Sequence, residues 1–147
     1  MNIRKATGNP KDTQVMTDLA MLLFPGHEYD ALAQEMQEYA SGAESAVFLA
    51  EEDGWPLAFA QCGLRHDYVE GTSSSPVGYL EGIYVHADTR RAGIASALVY
   101  ACEQWAKAFG CTEFASDCEL DNGLSIAFHL GAGFTEANRL VCFVKEI

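Results

Sequence analysis

The stretch Tyr79–Leu98, YLEGIYVHADTRRAGIASAL, predicts a buried strand, a short basic turn and the start of a helix. Its first half is rich in aromatic, aliphatic and β-branched residues, which is typical of a buried strand. Apolar residues then recur at helical spacing: Ile94, Leu98, Cys102, Trp105 and Phe109. The turn between these segments, Arg90–Ala95, combines two cations with small residues, so the backbone N–H groups at the helix N-terminus can approach an anion closely. The stretch therefore predicts a phosphate-binding turn, unless Gly93 only allows close packing and the arginines are solvated.

The length and hydropathy of the chain predict one soluble domain covering residues 1–147. Residues 1–5 lead into mixed polar sequence and not into the apolar core of a secretion signal. No run approaches the roughly 20 apolar residues that a membrane-spanning helix needs. We therefore expect a cytoplasmic protein that does not bind membranes.

The charge of the chain argues against nucleic acid as a partner. The net charge is −12, from 21 acidic and 9 basic residues, whereas phosphate backbones require clustered Lys and Arg. This charge favours a cationic partner, or it serves only solubility. Because an acidic protein nevertheless places Arg90 next to Arg91, we expect a small anionic ligand at that turn.

The five cysteines predict buried free thiols. They are scattered, are odd in number and form no C-x-x-C pair: Cys62, Cys102, Cys111, Cys118 and Cys142. This pattern favours neither a disulfide framework nor a metal site.

The remaining pattern alternates helices and strands around the central stretch. A strand at 2–6 and two amphipathic helices, ending near Phe24 and Gly42, precede a hairpin that turns at Asp53-Gly54. A polar loop spans 65–76, and Gly110 follows the central helix. We then expect a strand at 113–118, parallel to the central strand because a crossover helix separates them, a helix at 124–130 and a closing strand at 140–144.

Two motifs resemble those of the GCN5-related N-acetyltransferase (GNAT) family. Arg90-x-x-Gly93-x-Ala95 matches the acetyl-CoA signature Q/R-x-x-G-x-G/A. The downstream family pattern N-x-x-A-x-x-x-Y-x-x-x-G-F is matched in spacing, with serine for alanine and histidine for tyrosine, by Asn122, Ser125, His129, Gly133 and Phe134. The resemblance implies an α+β GNAT fold, with a central mixed, mostly antiparallel twisted sheet, a parallel pair at the acetyl-CoA site and about four flanking helices.

Five further segments resemble the aminoglycoside 6′-N-acetyltransferases within that family. They are Phe24-Pro25-Gly26-His27, Arg65-His66-Asp67-Tyr68-Val69-x-Gly71, Ser74-Ser75-Pro76-Val77, Leu80-Glu81-Gly82-Ile83 and Ala115-Ser116-Asp117. This resemblance implies direct acetyl transfer from acetyl-CoA to the 6′-amine of an aminoglycoside, which confers resistance. It also implies a homodimer, across whose interface residues 140–144 could pair, and no metal.

The same resemblance assigns roles to individual residues. Acetyl-CoA is expected at the central strand, the turn and the downstream motif, through Ile83, Tyr84, Val85, Arg90, Arg91, Gly93, Ile94, Ala95 and Asn122. Glu81 is expected to hold the ammonium group and accept its proton, or only to bind it. His129 replaces the tyrosine that protonates the departing thiolate, or it has only a packing role. Asp117 is expected to face the amino sugar, with Phe24, His27, Asp67, Tyr68 and Glu136 as further substrate-binding candidates.

Two other functions are compatible with the same residues. The acceptor could be a polyamine, a peptide N-terminus or another small amine. Alternatively, the departures at Ser125 and His129 could mark a non-catalytic module that only binds acetyl-CoA.

Overall fold

The computed structural model of the chain describes residues 1–90 and 93–147. Arg91, which the sequence assigns to the coenzyme site, lies outside the described residues. The elements in chain order are β1 (Asn2–Lys5), α1 (Pro10–Leu23), α2 (Tyr29–Ser41), β2 (Ser45–Glu52), β3 (Trp55–Arg65), β4 (Val77–Val85), a 3-10 turn (Ala87–Thr89), α3 (Ile94–Ala108), β5 (Phe114–Ser116) and α4 (Gly123–Gly131).

The five strands form one sheet in the order β1-β2-β3-β4-β5. Every neighbouring pair is antiparallel except β4 and β5, which are parallel and connected through α3. The predicted α+β fold, with a mostly antiparallel sheet, a parallel pair and four α-helices, is therefore confirmed for the described residues.

Helices α1 and α2 begin and end where the sequence places turn and capping residues. Asn9 caps α1 by accepting a hydrogen bond from the Asp12 backbone N–H at 2.7 Å, and Pro10 occupies the first turn. The Glu28 carboxylate caps α2 in the same way. The proline after Phe24 cannot continue a helix, which explains why α1 ends at Leu23.

The helices cover both faces of the sheet. Helices α1 and α2 pack on one face, against Val47, Leu49 and Phe59. Helix α3 packs on the other face, where small side chains let it approach the strands closely: Ala46, Ala50, Ala58, Ala60 and Cys62. Since side chains alternate between the faces of a strand, this division follows from the two-residue period of β2 and β3.

Strand β4 contains a β-bulge at Glu81, which the sequence analysis missed. Cys62 pairs with Leu80, but Gln61 pairs with Gly82, so Glu81 is the extra residue. Leu80 faces the α3 core, and beyond the bulge Ile83 and Val85 face it too. Without a bulge, side chains would alternate regularly from Leu80 onward, and Gly82 and Tyr84 would face α3 instead. The bulge thus changes the direction of the Glu81 side chain.

The predicted closing strand at 140–144 is wrong for this structure. The chain after Phe134 forms no regular element, and Leu140, Val141, Phe143 and Val144 are all exposed, Val144 by 98%. A strand requires a neighbour that accepts its hydrogen bonds, and no described strand pairs with this segment. The segment is apolar, as the sequence indicates, but no described part of the same chain pairs with it.

The cysteine prediction holds for three of the five thiols. Cys62, Cys102 and Cys111 are buried, as predicted. Cys118 and Cys142 are exposed, because they lie beyond the end of β5 and in the irregular C-terminal segment.

Among the residues described, no helix has the length and apolar character that crossing a membrane would demand.

Candidate active site

The two parallel strands separate directly after one residue pair. The pairing of β4 with β5 covers Gly78–Phe114, Tyr79–Ala115 and Leu80–Ser116, and β5 ends there. Strand β4 continues for five residues, 81–85, and in the described part of the chain these pair with β3 alone. Its second edge therefore has backbone N–H and C=O groups that no described strand pairs with, and such an edge can bind an extended ligand as an added strand would.

The basic turn lies at the far end of this open edge. The Arg90 Nε donates a hydrogen bond to the Val85 carbonyl oxygen at 3.0 Å, and its guanidinium lies 5.7 Å from the centroid of the Tyr84 ring. Gly93 has φ +78°, a left-handed conformation that favours glycine, and precedes the first helical residue, Ile94. Among the described residues no side chain caps this helix, so its first N–H groups can bind an anion.

A pair of carboxylates lies at the near end of the open edge. The last residue pair between β4 and β5 is Leu80–Ser116. Glu81 and Asp117 directly follow these two residues and therefore occupy corresponding positions on neighbouring strands. We call Glu81 and Asp117 the carboxylate pair. Asp117 is exposed, while Glu81 is half-buried at the bulge.

Arg65 and Tyr79 link the carboxylate pair into one hydrogen-bonded group. Arg65 Nε and Nη2 donate to Glu81 at 2.8–3.0 Å and contact both carboxylate oxygens. The same guanidinium stacks on Tyr79, 3.3 Å from the ring centroid, and the Tyr79 hydroxyl donates to Asp117. We call these four residues the charge cluster: Arg65, Tyr79, Glu81 and Asp117.

Sequence reasoning missed both Arg65 and Tyr79 as members of the site. Arg65 pairs with Val77 across the β3–β4 ladder, so Tyr79 is its diagonal neighbour on the next strand. A β3–β4 hairpin alignment would have revealed that contact. The contact between Arg65 and Glu81 also depends on the β-bulge, and no sequence pattern predicts that bulge.

The surroundings of Tyr79 keep its hydroxyl protonated. Burial raises the pKa of Tyr79 far above its ordinary value, and the hydrogen bond to Asp117 and the negative charges of Asp117 and Glu81 raise it further, while Arg65 acts in the opposite direction. Tyr79 is therefore protonated at neutral pH and donates its hydroxyl hydrogen to Asp117.

Both ring nitrogens of His129 make polar contacts on the α4 side of the gap, where the Ser125 Oγ also lies 3.3 Å from Nδ1. Its Nδ1 lies 2.7 Å from the Ser125 carbonyl oxygen, and its Nε2 lies 2.7 Å from the Ser116 Oγ. Because a carbonyl only accepts, Nδ1 carries a hydrogen, and in the neutral ring Nε2 accepts from the Ser116 hydroxyl. Ser116, which sequence reasoning also missed, thus connects His129 to the end of β5.

The end of α1 lies beside the bulge. Phe24 and His27 stack with ring centroids 5.3 Å apart. A Cβ atom added at Gly82 would lie 3.6 Å from the Phe24 Cζ, so this ring covers the backbone next to Glu81. The structure therefore places Phe24 next to the β4 bulge, with His27 against the Phe24 ring.

The remaining predicted residues lie outside the charge cluster. Asp67 and Tyr68 are exposed on the loop after β3, and Tyr68 is 74% exposed. Glu136 is exposed and accepts a hydrogen bond from Arg139 in the C-terminal segment. Asn122 caps α4 by accepting from the Ser125 N–H at 3.1 Å.

Comparison with known proteins identifies relatives over almost the whole chain. The acetyltransferase (GNAT) family model matches residues 13–134. An aminoglycoside N(6′)-acetyltransferase type 1 of Acinetobacter genomosp. 13 is 46% identical over 142 residues, covering 94% of this chain and 97% of the relative. A protein of the same description from Stenotrophomonas maltophilia is 42% identical, with 96% and 90% covered.

Two solved structures superpose closely on this chain. AAC(6′)-Iy in complex with the bisubstrate analogue CoA-S-monomethyl-acetylneamine has a TM-score of 0.93 and 36% identity, covering 99% of this chain and 98% of that one. The aminoglycoside 6′-N-acetyltransferase AAC(6′)-Ih from Acinetobacter baumannii has a TM-score of 0.92 and 43% identity, with the same coverage.

Proposed function

Since the chain belongs to the acetyltransferase (GNAT) family, we propose that it is an aminoglycoside 6′-N-acetyltransferase that works in the cytoplasm. It transfers the acetyl group of acetyl-CoA directly to the 6′-amine of the antibiotic and thereby confers resistance. The observation that carries this proposal is the open edge of β4, which leads from the basic turn at one end to the carboxylate pair at the other. Phosphates bound at the turn and an amine bound at the carboxylates would place both reactants along one edge.

Acetyl-CoA binds along the open edge of β4. The backbone of Ile83, Tyr84 and Val85 hydrogen-bonds the amide groups of the pantetheine arm as a neighbouring strand would. The pyrophosphate accepts hydrogen bonds from the N–H groups of Gly93, Ile94 and Ala95 at the start of α3, with the Arg90 and Arg91 side chains as additional cations. Asn122 fixes the start of α4 on the other side of the gap.

The acceptor amine binds at the carboxylate pair. An aminoglycoside amine is mostly protonated at neutral pH and must lose a proton before it can attack the thioester. Glu81 holds the ammonium group and accepts its proton, directly or through water. As the amine attacks, a β4 backbone N–H stabilises the negative charge on the carbonyl oxygen.

The departing thiolate receives its proton at the Ser116–His129 pair. When His129 is protonated, its Nε2–H donates to the Ser116 Oγ, so the serine's own hydrogen is free to pass to sulfur. The Ser116 oxygen then takes the Nε2 proton, which leaves His129 neutral. The 2.7 Å separation of Nε2 and Oγ supports this transfer.

The rest of the aminoglycoside contacts residues around the carboxylate pair. Asp117 binds the amino sugar, and the Phe24 and His27 rings form a wall beside it. Asp67, Tyr68 and Glu136 are exposed and reach the outer rings of the antibiotic.

The protein acts as a homodimer, in which the C-terminal segment 140–144 pairs with a second copy. Its apolar side chains are exposed, and no described strand of the same chain pairs with it. Burying such a segment against a partner removes both the exposed apolar surface and the unpaired backbone groups. Deletion of residues 140–147 should convert a dimer into a monomer in analytical ultracentrifugation, and an intact chain that sediments as a monomer contradicts the dimer.

Thiol release from acetyl-CoA over a panel of amines tests the function. Neomycin, which has a 6′-amine, should be turned over, whereas paromomycin, which has a hydroxyl at that position, should not be acetylated there. Spermidine and a peptide with a free N-terminus represent the other acceptor classes. A preference for either of these, or acetyl-CoA binding without turnover of any amine, would overturn the proposal.

A further inference from the structure

Arg65 places a permanent positive charge within the carboxylate pair. Its guanidinium contacts both oxygens of Glu81 through Nε and Nη2, at 2.8–3.0 Å. The side chain of Arg65 is 42% exposed and that of Glu81 only 23%, so the guanidinium forms part of the surface that an incoming substrate meets. A binding site built only to attract ammonium groups would not contain this cation.

The geometry of Arg65 is fixed on two sides. The guanidinium is held edge-on by Glu81 and face-on by the Tyr79 ring, 3.3 Å from its centroid. Tyr79 is itself buried, 5% exposed, and donates a hydrogen bond to Asp117. Because planar stacking and a two-point contact both depend on the guanidinium shape, Arg65 is a built-in member of the charge cluster.

The charge cluster therefore carries one net negative charge. Glu81 and Asp117 contribute two negative charges, Arg65 contributes one positive charge, and Tyr79 is neutral. Such a site neutralises one ammonium group in full, whereas a second ammonium on the same sugar ring gains less, because the guanidinium offsets one of the two carboxylate charges.

We infer that Arg65 is a specificity-determining residue. By lowering the negative charge of the amine site, it reduces the advantage in binding that a sugar ring with two ammonium groups would otherwise have over a ring with one. This inference rests on the proposed function. It adds which kind of sugar ring the site binds, namely one with a single ammonium group as well as one with two. Kanamycin A and kanamycin B form a suitable pair of probes, because both have the 6′-amine but A has a hydroxyl and B an amine at the 2′ position of that ring.

Removal of the positive charge should shift the protein toward the more highly charged antibiotic. In Arg65→Met the cluster carries two negative charges, which favours the more highly charged kanamycin B. The ratio of the Kd for kanamycin A to the Kd for kanamycin B should therefore rise about fivefold. This is the effect on binding of one additional unit charge a few ångströms away in a solvent-screened site. Arg65→Lys is the matched control, since it keeps the charge and loses the two-point contact. Its ratio should stay within about twofold of wild type.

Calorimetric titration of both antibiotics into the three proteins at one fixed salt concentration tests the inference. An unchanged or lower ratio in Arg65→Met overturns it, and so does a lysine variant whose ratio shifts as far as that of the methionine variant. A general loss of folding would weaken both antibiotics together and leave the ratio unchanged, and thermal unfolding of each variant identifies it. Since Kd is measured without turnover, binding without acetylation would count against the proposed function and not against the role of Arg65.

Discussion

The Nε2 atom of His129 lies 2.7 Å from the Oγ atom of Ser116, at the point where the parallel strands separate. The other ring nitrogen is fixed by the backbone carbonyl of Ser125 at 2.7 Å. This arrangement connects a group that can carry a proton to a hydroxyl at the start of the gap between β4 and β5. The Ser116 hydroxyl, and not the imidazole itself, is therefore the group through which we expect the proton to reach sulfur.

Replacement of Ser116 by alanine should lower kcat about tenfold, because the proton of His129 then has no bridging hydroxyl; this is less than the roughly 10²–10⁴-fold that general acid catalysis typically contributes. His129→Ala should lower kcat at least as much. Ser125→Ala is the comparison variant: the backbone carbonyl that binds Nδ1 stays in place, and only the longer contact of the Ser125 Oγ with Nδ1, at 3.3 Å, is lost, so kcat should fall much less. Steady-state kinetics with saturating acetyl-CoA measure the effect, and nearly full kcat in His129→Ala would exclude the acid role.

Loss of the Tyr79 hydroxyl should weaken aminoglycoside binding and leave coenzyme binding unchanged. In Tyr79→Phe the ring still supports Arg65, but Asp117 loses its donor, and a hydrogen bond to a charged group is worth about 1.5 to 3 kcal/mol. We expect the aminoglycoside KM to rise about tenfold. Asp117→Ala should act in the same direction and at least as strongly. Equal increases in the KM for acetyl-CoA would instead indicate general damage to the fold.

Glu81→Gln separates the two roles of this carboxylate. The amide keeps the shape of the side chain but cannot accept the proton of the ammonium group, so kcat should fall and its dependence on pH should change. Glu81→Asp serves as the comparison that keeps the charge. A glutamine variant with the pH profile of the wild type would remove the base role and leave Glu81 as a binding group only.

Asp12 should make the fold sensitive to acid. The hydrogen bonds from Arg4, at 2.7 and 2.9 Å, lower the pKa of this 2%-exposed carboxyl from 3.8 to about 2, and the Thr7 N–H adds to the effect. A lowered pKa means that the native state binds fewer protons than the unfolded chain, so the stabilisation is complete above about pH 4 and is lost as the pH falls toward 2. The shift corresponds to about 2 kcal/mol.

Denaturant unfolding across this pH range checks the role of Asp12. Asp12→Asn should lower the free energy of unfolding by about 2 kcal/mol at neutral pH and flatten its dependence below pH 4. Asp18→Asn, on the exposed side of the same helix, should change little. A variant of Asp12 with the stability and acid sensitivity of the wild type would show that the Arg4 contacts contribute nothing net.

The sequence by itself determined the order of the elements up to Phe134 and the position of the turn that we propose binds phosphate. Helix starts, the Asp53-Gly54 hairpin turn and the glycine before α3 depend on local backbone chemistry, which each short segment carries with it. The downstream motif also marked His129, and the segments that resemble the aminoglycoside 6′-N-acetyltransferases marked Glu81 and Asp117. The prediction of a closing strand at 140–144 was wrong because strand formation depends on a neighbouring strand. An apolar pattern shows that a segment needs a partner, but not that one is present.

Only the tertiary structure decided how these residues act together. The extra residue at Glu81 redirects its side chain, and the β3–β4 pairing brings Arg65 from a position 16 residues earlier to the same carboxylate. The parallel pairing of β4 and β5 aligns Glu81 with Asp117 and places Ser116 beside His129. Ladder register and a bulge are properties of two strands at once, so no single segment of the sequence contains them.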